Sequence, residues 1–99
     1  MITVRETEDF KKWMKGLKDK KTRLVINARI RRISTGNFGD AKSVGDSIFE
    51  LIIDYGPGYR VYFTKQGQEI VLLLCGGDKS TQQADINTAK KIAINLEEA

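Results

Sequence analysis

The sequence contains no histidine and one cysteine among its 99 residues. These shortages exclude a zinc site built from Cys and His ligands, and they exclude the histidine of Ser-His-Asp or Cys-His catalysis. Any proton transfer must therefore use Lys, Tyr, Asp or Glu. Cys75 cannot form a disulfide within the chain, and we expect it to be a small buried hydrophobe.

The chain also lacks a long apolar segment. Its longest apolar run, Ile70 to Cys75, is far shorter than the roughly 20 residues that span a bilayer. The N-terminus has no basic region leading into an apolar stretch, as a secretory signal would have. We therefore expect a cytoplasmic protein with no membrane partner. The length, with 40% hydrophobic and 30% charged residues, predicts a single globular domain over residues 1–99.

Charge is distributed unevenly along the chain. Residues 1–33 contain 11 of the 17 Lys and Arg but only 4 of the 13 Asp and Glu. The first third thus carries +7 and the remainder −3, which together give the net charge of +4. A basic surface attracts anionic partners, although surface lysines also serve simply to keep a protein soluble.

The N-terminal part predicts a strand followed by two helices. Alternation over residues 2–4 indicates a short strand, and Thr7 or Asp9 would cap a first helix. The apolar face of this helix is spaced i, i+3, i+4, i+7 and consists of Phe10, Trp13, Met14 and Leu17. Residues 22–33 fit both a strand and a helix; their length and the following Gly36 favour a second helix.

The middle of the chain predicts an antiparallel hairpin. Apolar residues alternate over residues 48–54 and again over residues 59–64. Gly56-Pro57-Gly58 supplies the turn between them.

The C-terminal part predicts one more strand and a last helix. The uniformly apolar run from Ile70 to Cys75 is typical of a central strand covered on both faces. Gly76-Gly77 would end that strand, and Ser80 with Gln83 fits a capping box that starts a helix. The predicted fold is α+β, in the order β-α-α-β-β-β(-β)-α, with a small antiparallel sheet packed on the N-terminal helical hairpin and helices on one face.

The hairpin brings chemically useful side chains to one face of the sheet. If its apolar face meets the helices, the opposite, solvent-open face holds Glu50, Ile52, Arg60 and Tyr62. Arg60 could bind a phosphate, Glu50 could take a proton, and Tyr62 could stack on a base. The alternative is an ordinary cross-strand Glu-Arg pair on a wet sheet face.

Two lysines follow short glycine-containing segments. Lys79 comes after Gly76-Gly77-Asp78 at the start of the last helix, where backbone amides attract anions. The spacing is not that of a Walker A loop, and the segment could also be a plain turn with Asp78 as a cap. Lys42 is similarly placed just before the hairpin.

Four segments of the chain carry a family resemblance: residues 13–17, 36–45, 50–63 and 72–82. The strings Tyr-Gly-Pro-Gly-Tyr-Arg-Val-Tyr-Phe and Gly-Gly-Asp-Lys-Ser-Thr-Gln are together highly specific. Through them the chain resembles the addiction-module killer proteins, a HigB-like branch of the RelE/ParE toxin superfamily. The resemblance implies a RelE/ParE-like fold and the toxin of a type II toxin-antitoxin module, neutralised by a cognate antitoxin. It also implies a ribosome-dependent endoribonuclease that cuts mRNA, inhibits translation and uses no metal or other cofactor.

The resemblance also implies roles for the candidate catalytic residues. Arg60 matches the strand arginine of the family and would stabilise the pentavalent phosphate. Lys79 matches the lysine of the Gly-Gly-Asp-Lys string and would bind phosphate or act as the acid. Glu50 would be the base, and Tyr62 would stack on a base or relay a proton.

Further basic residues would contact RNA. Lys42 would contact the phosphate backbone beside Arg60 and Lys79. Arg29 and Arg32 lie in the basic helical part, which we expect to face ribosomal RNA.

One position departs from the family pattern. The first hairpin strand of the family usually reads Glu-Leu-Arg-Ile, but this chain has Ile52 in place of the arginine. The substitution removes a cation from the site, so a catalytically weak module that binds its antitoxin is an alternative. A ParE-like inhibitor of DNA gyrase is another.

Overall fold

A computed structural model describes residues 1–98, which form five strands and three helices. In chain order they are β1 (Thr3–Glu6), α1 (Glu8–Gly16), α2 (Lys20–Ile33), β2 (Ala41–Gly45), β3 (Ile48–Ile53), β4 (Tyr59–Gln66), β5 (Ile70–Asp78) and α3 (Gln82–Glu98). The order of elements is confirmed, including the helix over residues 22–33. No helix in the described part is long and apolar enough to cross a membrane.

The strands form one mixed sheet in the order β1-β5-β4-β3-β2. Strands β2 to β5 pair antiparallel with their neighbours, whereas β1 pairs parallel with β5. The prediction of an antiparallel sheet is therefore wrong for β1. Parallel pairing requires a long crossover, and the chain between Glu6 and Ile70 supplies one.

Helices cover both faces of the sheet, which corrects the prediction that they lie on one face. On the first face, α1 and α2 bury Phe10, Ile26 and Ile33 against Leu51, Val61 and Phe63. On the second face, α3 buries Ile86 and Ala89 against Ile48, Tyr62 and Leu74. The fully apolar pattern of β5 is explained because this strand lies between helices on its two faces.

Thr7 and Asp78 fix the ends of β1 and β5. The Thr7 hydroxyl accepts a hydrogen bond from the Phe10 amide at 3.1 Å and donates to the Leu74 carbonyl at 2.6 Å, so it caps α1 and holds it on β5. The Asp78 carboxylate accepts from the Ser80 amide at 2.8 Å and caps a 3₁₀ turn, Lys79–Thr81. The predicted capping box at Ser80 is wrong, because Asp78 takes that role and α3 begins at Gln82.

Gly76 and Gly77 continue β5, whereas the sequence pattern predicted that they end it. Consecutive strand residues face opposite sides of a sheet, and each glycine leaves room for a side chain from a helix. A Cβ atom on Gly76 would overlap the indole ring of Trp13 in α1. A Cβ atom on Gly77 would overlap the carboxylate of Asp85 in α3. The two glycines thus allow helices to approach β5 closely from both faces.

Candidate functional site

A row of polar side chains crosses three strands of the sheet. Lys42 of β2 pairs with Glu50 of β3, and Glu50 pairs with Tyr62 of β4. Lys42 is exposed at the edge, whereas Glu50 and Tyr62 have no accessible surface. The three side chains are therefore neighbours across the sheet, with Lys42 in solvent and the carboxylate and the phenol buried.

Glu50 is surrounded by four hydrogen-bonding or cationic groups. Its Oε2 atom accepts from the Gln82 amide nitrogen at 2.7 Å and lies 3.3 Å from the Tyr62 hydroxyl, which donates to it. Its Oε1 atom lies 3.6 Å from Arg60 Nε and 3.9 Å from Lys42 Nζ. These two distances are ionic contacts, because within residues 1–98 neither Glu50 Oε1 nor Arg60 Nε has a hydrogen-bond partner.

The predicted solvent-open face is wrong at Glu50 and Tyr62. The start of α3 covers this part of the sheet, and Gln82 and Arg60 lie against the carboxylate. The predicted division of the hairpin into two faces is confirmed, because Leu51 and Val61 face the other helices. A direct role of Glu50 as base stays a prediction, and it would require this cover to open.

Arg60 and Lys79 lie together at the open edge of this cluster. A Cβ atom on Gly58 would lie 3.6 Å from Arg60 Nη1 and also 3.6 Å from Lys79 Cβ. Gly58 has φ of 84°, a conformation that favours glycine, so the turn before β4 brings the two cationic side chains together without a side chain between them. Lys79 is exposed, while the side chain of Arg60 keeps 12% of its surface accessible.

The two arginines predicted to bind RNA have different surroundings. Arg29 is half-buried and donates to the carbonyl oxygens of Ile52 and Phe38, at 2.7 and 3.0 Å. It therefore ties α2 to the end of β3 and to the loop before β2. Arg32 is exposed near the end of α2.

Gln82 and Asp85 belong to the cluster; in the sequence, Gln82 stands out only as the last residue of the Gly-Gly-Asp-Lys-Ser-Thr-Gln string, and no pattern points to Asp85. Gln82 is the first residue of α3 and reaches Glu50. Asp85 accepts from the Thr81 hydroxyl at 2.6 Å and occupies the space above Gly77, which lies opposite Arg60 in the sheet. Both residues are separated from the hairpin in sequence, so only the packing of α3 brings them to the site.

Among the described residues, no group of three or more Cys, Asp or Glu could hold a metal ion.

Burial of Tyr62 and Cys75 predicts a loss of stability at alkaline pH. Burial, followed by the charges of Glu50 and Asp85, raises the pKa of the Tyr62 phenol. Burial likewise raises the pKa of the Cys75 thiol from 9.0 to about 12. Both groups stay protonated in the folded state at a pH where they ionise in the unfolded chain, so their contribution is complete below the unfolded pKa values and decreases as the pH rises.

We expect the free energy of unfolding to fall by about 4 kcal/mol between pH 8 and pH 11. Urea denaturation at both pH values measures this change. In Cys75→Ala the fall should be smaller, because one of the two groups is absent. An unchanged pH dependence in that variant would contradict the assignment.

Comparison with known proteins gives the relationships of this chain. The family model described as "Phage derived protein Gp49-like (DUF891)" matches residues 11–97. An uncharacterized protein of Haemophilus influenzae is 54% identical over 95 residues, which cover 96% of each chain. The matched region includes the whole cluster around Glu50. The chain belongs to the phage derived protein Gp49-like family.

Proposed function

We propose that the protein is the toxin of a type II toxin-antitoxin module and acts as a ribosome-dependent mRNA endonuclease that inhibits translation. The Gp49-like family is a toxin-like family of addiction modules, which supports the toxin assignment and an antitoxin as partner. The resemblance to the HigB-like branch of the RelE/ParE superfamily supports the cleavage of mRNA. The observation that carries the proposal is that Arg60 has two cationic residues as neighbours: it shares the Glu50 carboxylate with Lys42, and it lies next to Gly58 together with the Cβ atom of Lys79.

These three cations suit the binding of a phosphodiester. Arg60 presents a planar guanidinium next to Gly58, and the exposed Lys79 has its Cβ atom next to the same glycine. Lys42, with 62% of its side chain exposed, lies beside the same carboxylate as Arg60. An RNA backbone at this edge would have cationic groups along it, and none of these contacts requires a metal ion.

The proposed reaction uses the 2′-hydroxyl of the RNA as nucleophile. Its proton passes to water, its oxygen attacks the adjacent phosphorus, the bond from phosphorus to the 5′-oxygen breaks, and a 2′,3′-cyclic phosphate remains. Arg60 stabilises the added negative charge of the pentavalent phosphate, and Lys79 gives a proton to the departing 5′-oxygen. In the arrangement described above, Glu50 holds Arg60 and Lys42 in place and does not itself touch the RNA.

Induced expression in a bacterial host tests the proposal. We expect growth arrest, and mapping of mRNA 5′ ends should give cuts in phase with codons. Intact mRNA would contradict it.

Replacing Lys79 with alanine should weaken cleavage by about 100-fold, because both a charge-assisted contact to phosphate and the proton donor for the 5′-oxygen are lost. Lys79 is exposed, so the variant should unfold at the same urea concentration as the parent protein. Lys91→Ala is the matched control, since Lys91 is also exposed but lies along α3 rather than at its start. Equal cleavage by the two variants would remove Lys79 from the site.

A second candidate is a catalytically weak module whose main role is to bind the antitoxin. Ile52 favours it, because this half-buried apolar residue pairs with Arg60 where the family usually has a second cation. Growth arrest with intact mRNA and trapped DNA gyrase would instead indicate gyrase inhibition. Harmless expression with intact mRNA would favour the binding module.

A further inference from the structure

The two oxygens of Glu50 have different kinds of neighbour. Oε2 faces neutral donors, the Gln82 amide at 2.7 Å and the Tyr62 hydroxyl at 3.3 Å. Oε1 has no hydrogen bond within the described residues and faces the cations of Arg60 and Lys42. Because the side chain is fully buried, water does not compete for either oxygen. The orientation of this carboxylate therefore decides which atom is presented to Arg60.

Gln82 makes the shorter of the two contacts to Oε2. Hydrogen bonds among the residues before and after it in the sequence fix its backbone. Before it, Asp78 caps the turn at Ser80; after it, Asp85 accepts from Thr81 at 2.6 Å. Its amide must present the NH₂ group to Glu50, because a carboxylate can only accept. The position of the start of α3 thus determines where Gln82 holds the carboxylate, and the carboxylate in turn determines where Arg60 lies.

We propose that Gln82 is a positioning residue, which fixes the Glu50 carboxylate so that Oε1 holds the Nε of Arg60 and the guanidinium keeps its place beside Lys79. The role in cleavage rests on the proposed function, but the effect on Arg60 does not. Gln82 touches neither phosphate nor reacting atoms in this scheme. Without its amide, the carboxylate can rotate about its last torsion angle and take Arg60 with it.

The test compares Gln82→Leu with Gln83→Leu. Gln83 is the adjacent residue, is exposed, and donates to Asn87 at 3.2 Å rather than to Glu50, so it is a matched control. The readout is the Nε–Hε signal of Arg60 in ¹⁵N NMR spectra, assigned by its loss in Arg60→Lys. We expect this signal to move or broaden in Gln82→Leu and to remain in place in Gln83→Leu.

Cleavage kinetics supply the second readout. For programmed ribosomes, Gln82→Leu should lower kcat about 10-fold or more with little change in KM, because the reacting phosphate is bound but poorly aligned.

Tyr62→Phe removes the other donor to Oε2 and should shift the Arg60 signal in the same direction. If Gln82→Leu fails to fold, Gln82→Asn, which keeps an amide but is too short to reach Glu50, takes its place.

The outcomes separate the two proposals. An unchanged Arg60 signal in a folded Gln82 variant would overturn the positioning role, whether or not RNA is cut. A shifted Arg60 signal in a protein that never cuts mRNA would support the positioning role and contradict the proposed nuclease. Equal kcat values for the Gln82 and Gln83 variants of an active nuclease would also overturn a role of Gln82 in the reaction.

Discussion

Replacing Arg60 with alanine is expected to lower mRNA cleavage by about 10²- to 10³-fold, as the loss of one preorganised charge-stabilising donor does in other enzymes. The guanidinium is the cation held closest to Glu50, at 3.6 Å, and it lies next to Gly58 together with the Cβ atom of Lys79. Growth of the expressing host and the frequency of codon-phased 5′ ends measure the effect.

The same substitution should also destabilise the fold. It leaves Lys42 as the one cation that the described residues place within 4 Å of the buried Glu50 carboxylate, and breaking a buried ion pair costs about 3 kcal/mol or more. This cost must be separated from the loss of activity. The double variant Arg60→Ala/Glu50→Gln removes the unpaired charge and should regain much of the stability, measured by urea denaturation, without regaining cleavage.

Either of two results would contradict this account of Arg60. Cleavage by the double variant near the parent rate would show that Arg60 serves folding alone. An unchanged free energy of unfolding in Arg60→Ala would show that the ion pair with Glu50 contributes nothing to the fold.

The hairpin and the two N-terminal helices could be predicted because their residues have the periodicity of the structures that they form. Trp13 and Met14 share a helical face, and Leu51 and Val61 share a face of the sheet. Strand β2 is different: only Val44 is a strong strand former in Ala41–Gly45, and it is pairing with β3 that makes the segment a strand.

Glu50 shows why the site could be predicted only in part. Alternation assigns Glu50 to one face of β3, but it does not tell whether that face meets water or another helix. The apolar residues Ile86 and Ala89 indicate that α3 packs against something, yet they fit either face of the sheet equally well. The burial of Glu50 and its contact with Gln82 both depend on which face of the sheet α3 covers.

The pair of glycines in β5 illustrates a second limit. Glycine is a common end to a strand, so Gly76-Gly77 predicted a break. Their actual role depends on two residues far away in the sequence, Trp13 and Asp85, whose side chains fill the space that the glycines leave. A local pattern contains no information about such partners.

The close contact between Gly76 and Trp13 leads to the prediction with the largest expected effect on stability alone. In Gly76→Ala the new Cβ atom would overlap the indole ring, which is itself packed between Phe10 and Tyr59 with ring centroids 5.8 and 6.3 Å away. The ring cannot move without disturbing both neighbours. Overpacking of this kind costs about 1 to 3 kcal/mol, and we expect a value near the upper end.

Two further variants make the Gly76 prediction specific. Gly16→Ala introduces the same methyl group at the end of α1, where no atom beyond the adjacent residues and the helix backbone would lie within 4 Å of it, and should be neutral or stabilising by up to about 1 kcal/mol. Trp13→Leu removes the ring that the new methyl group would overlap. In a double-mutant cycle, Gly76→Ala should therefore destabilise the Trp13→Leu protein by at least about 1 kcal/mol less than it destabilises the parent protein. Urea denaturation of the four proteins of the cycle gives the coupling energy. If the two substitutions are additive, or if Gly76→Ala is as harmless as Gly16→Ala, then the approach of α1 to β5 is not what requires glycine at position 76.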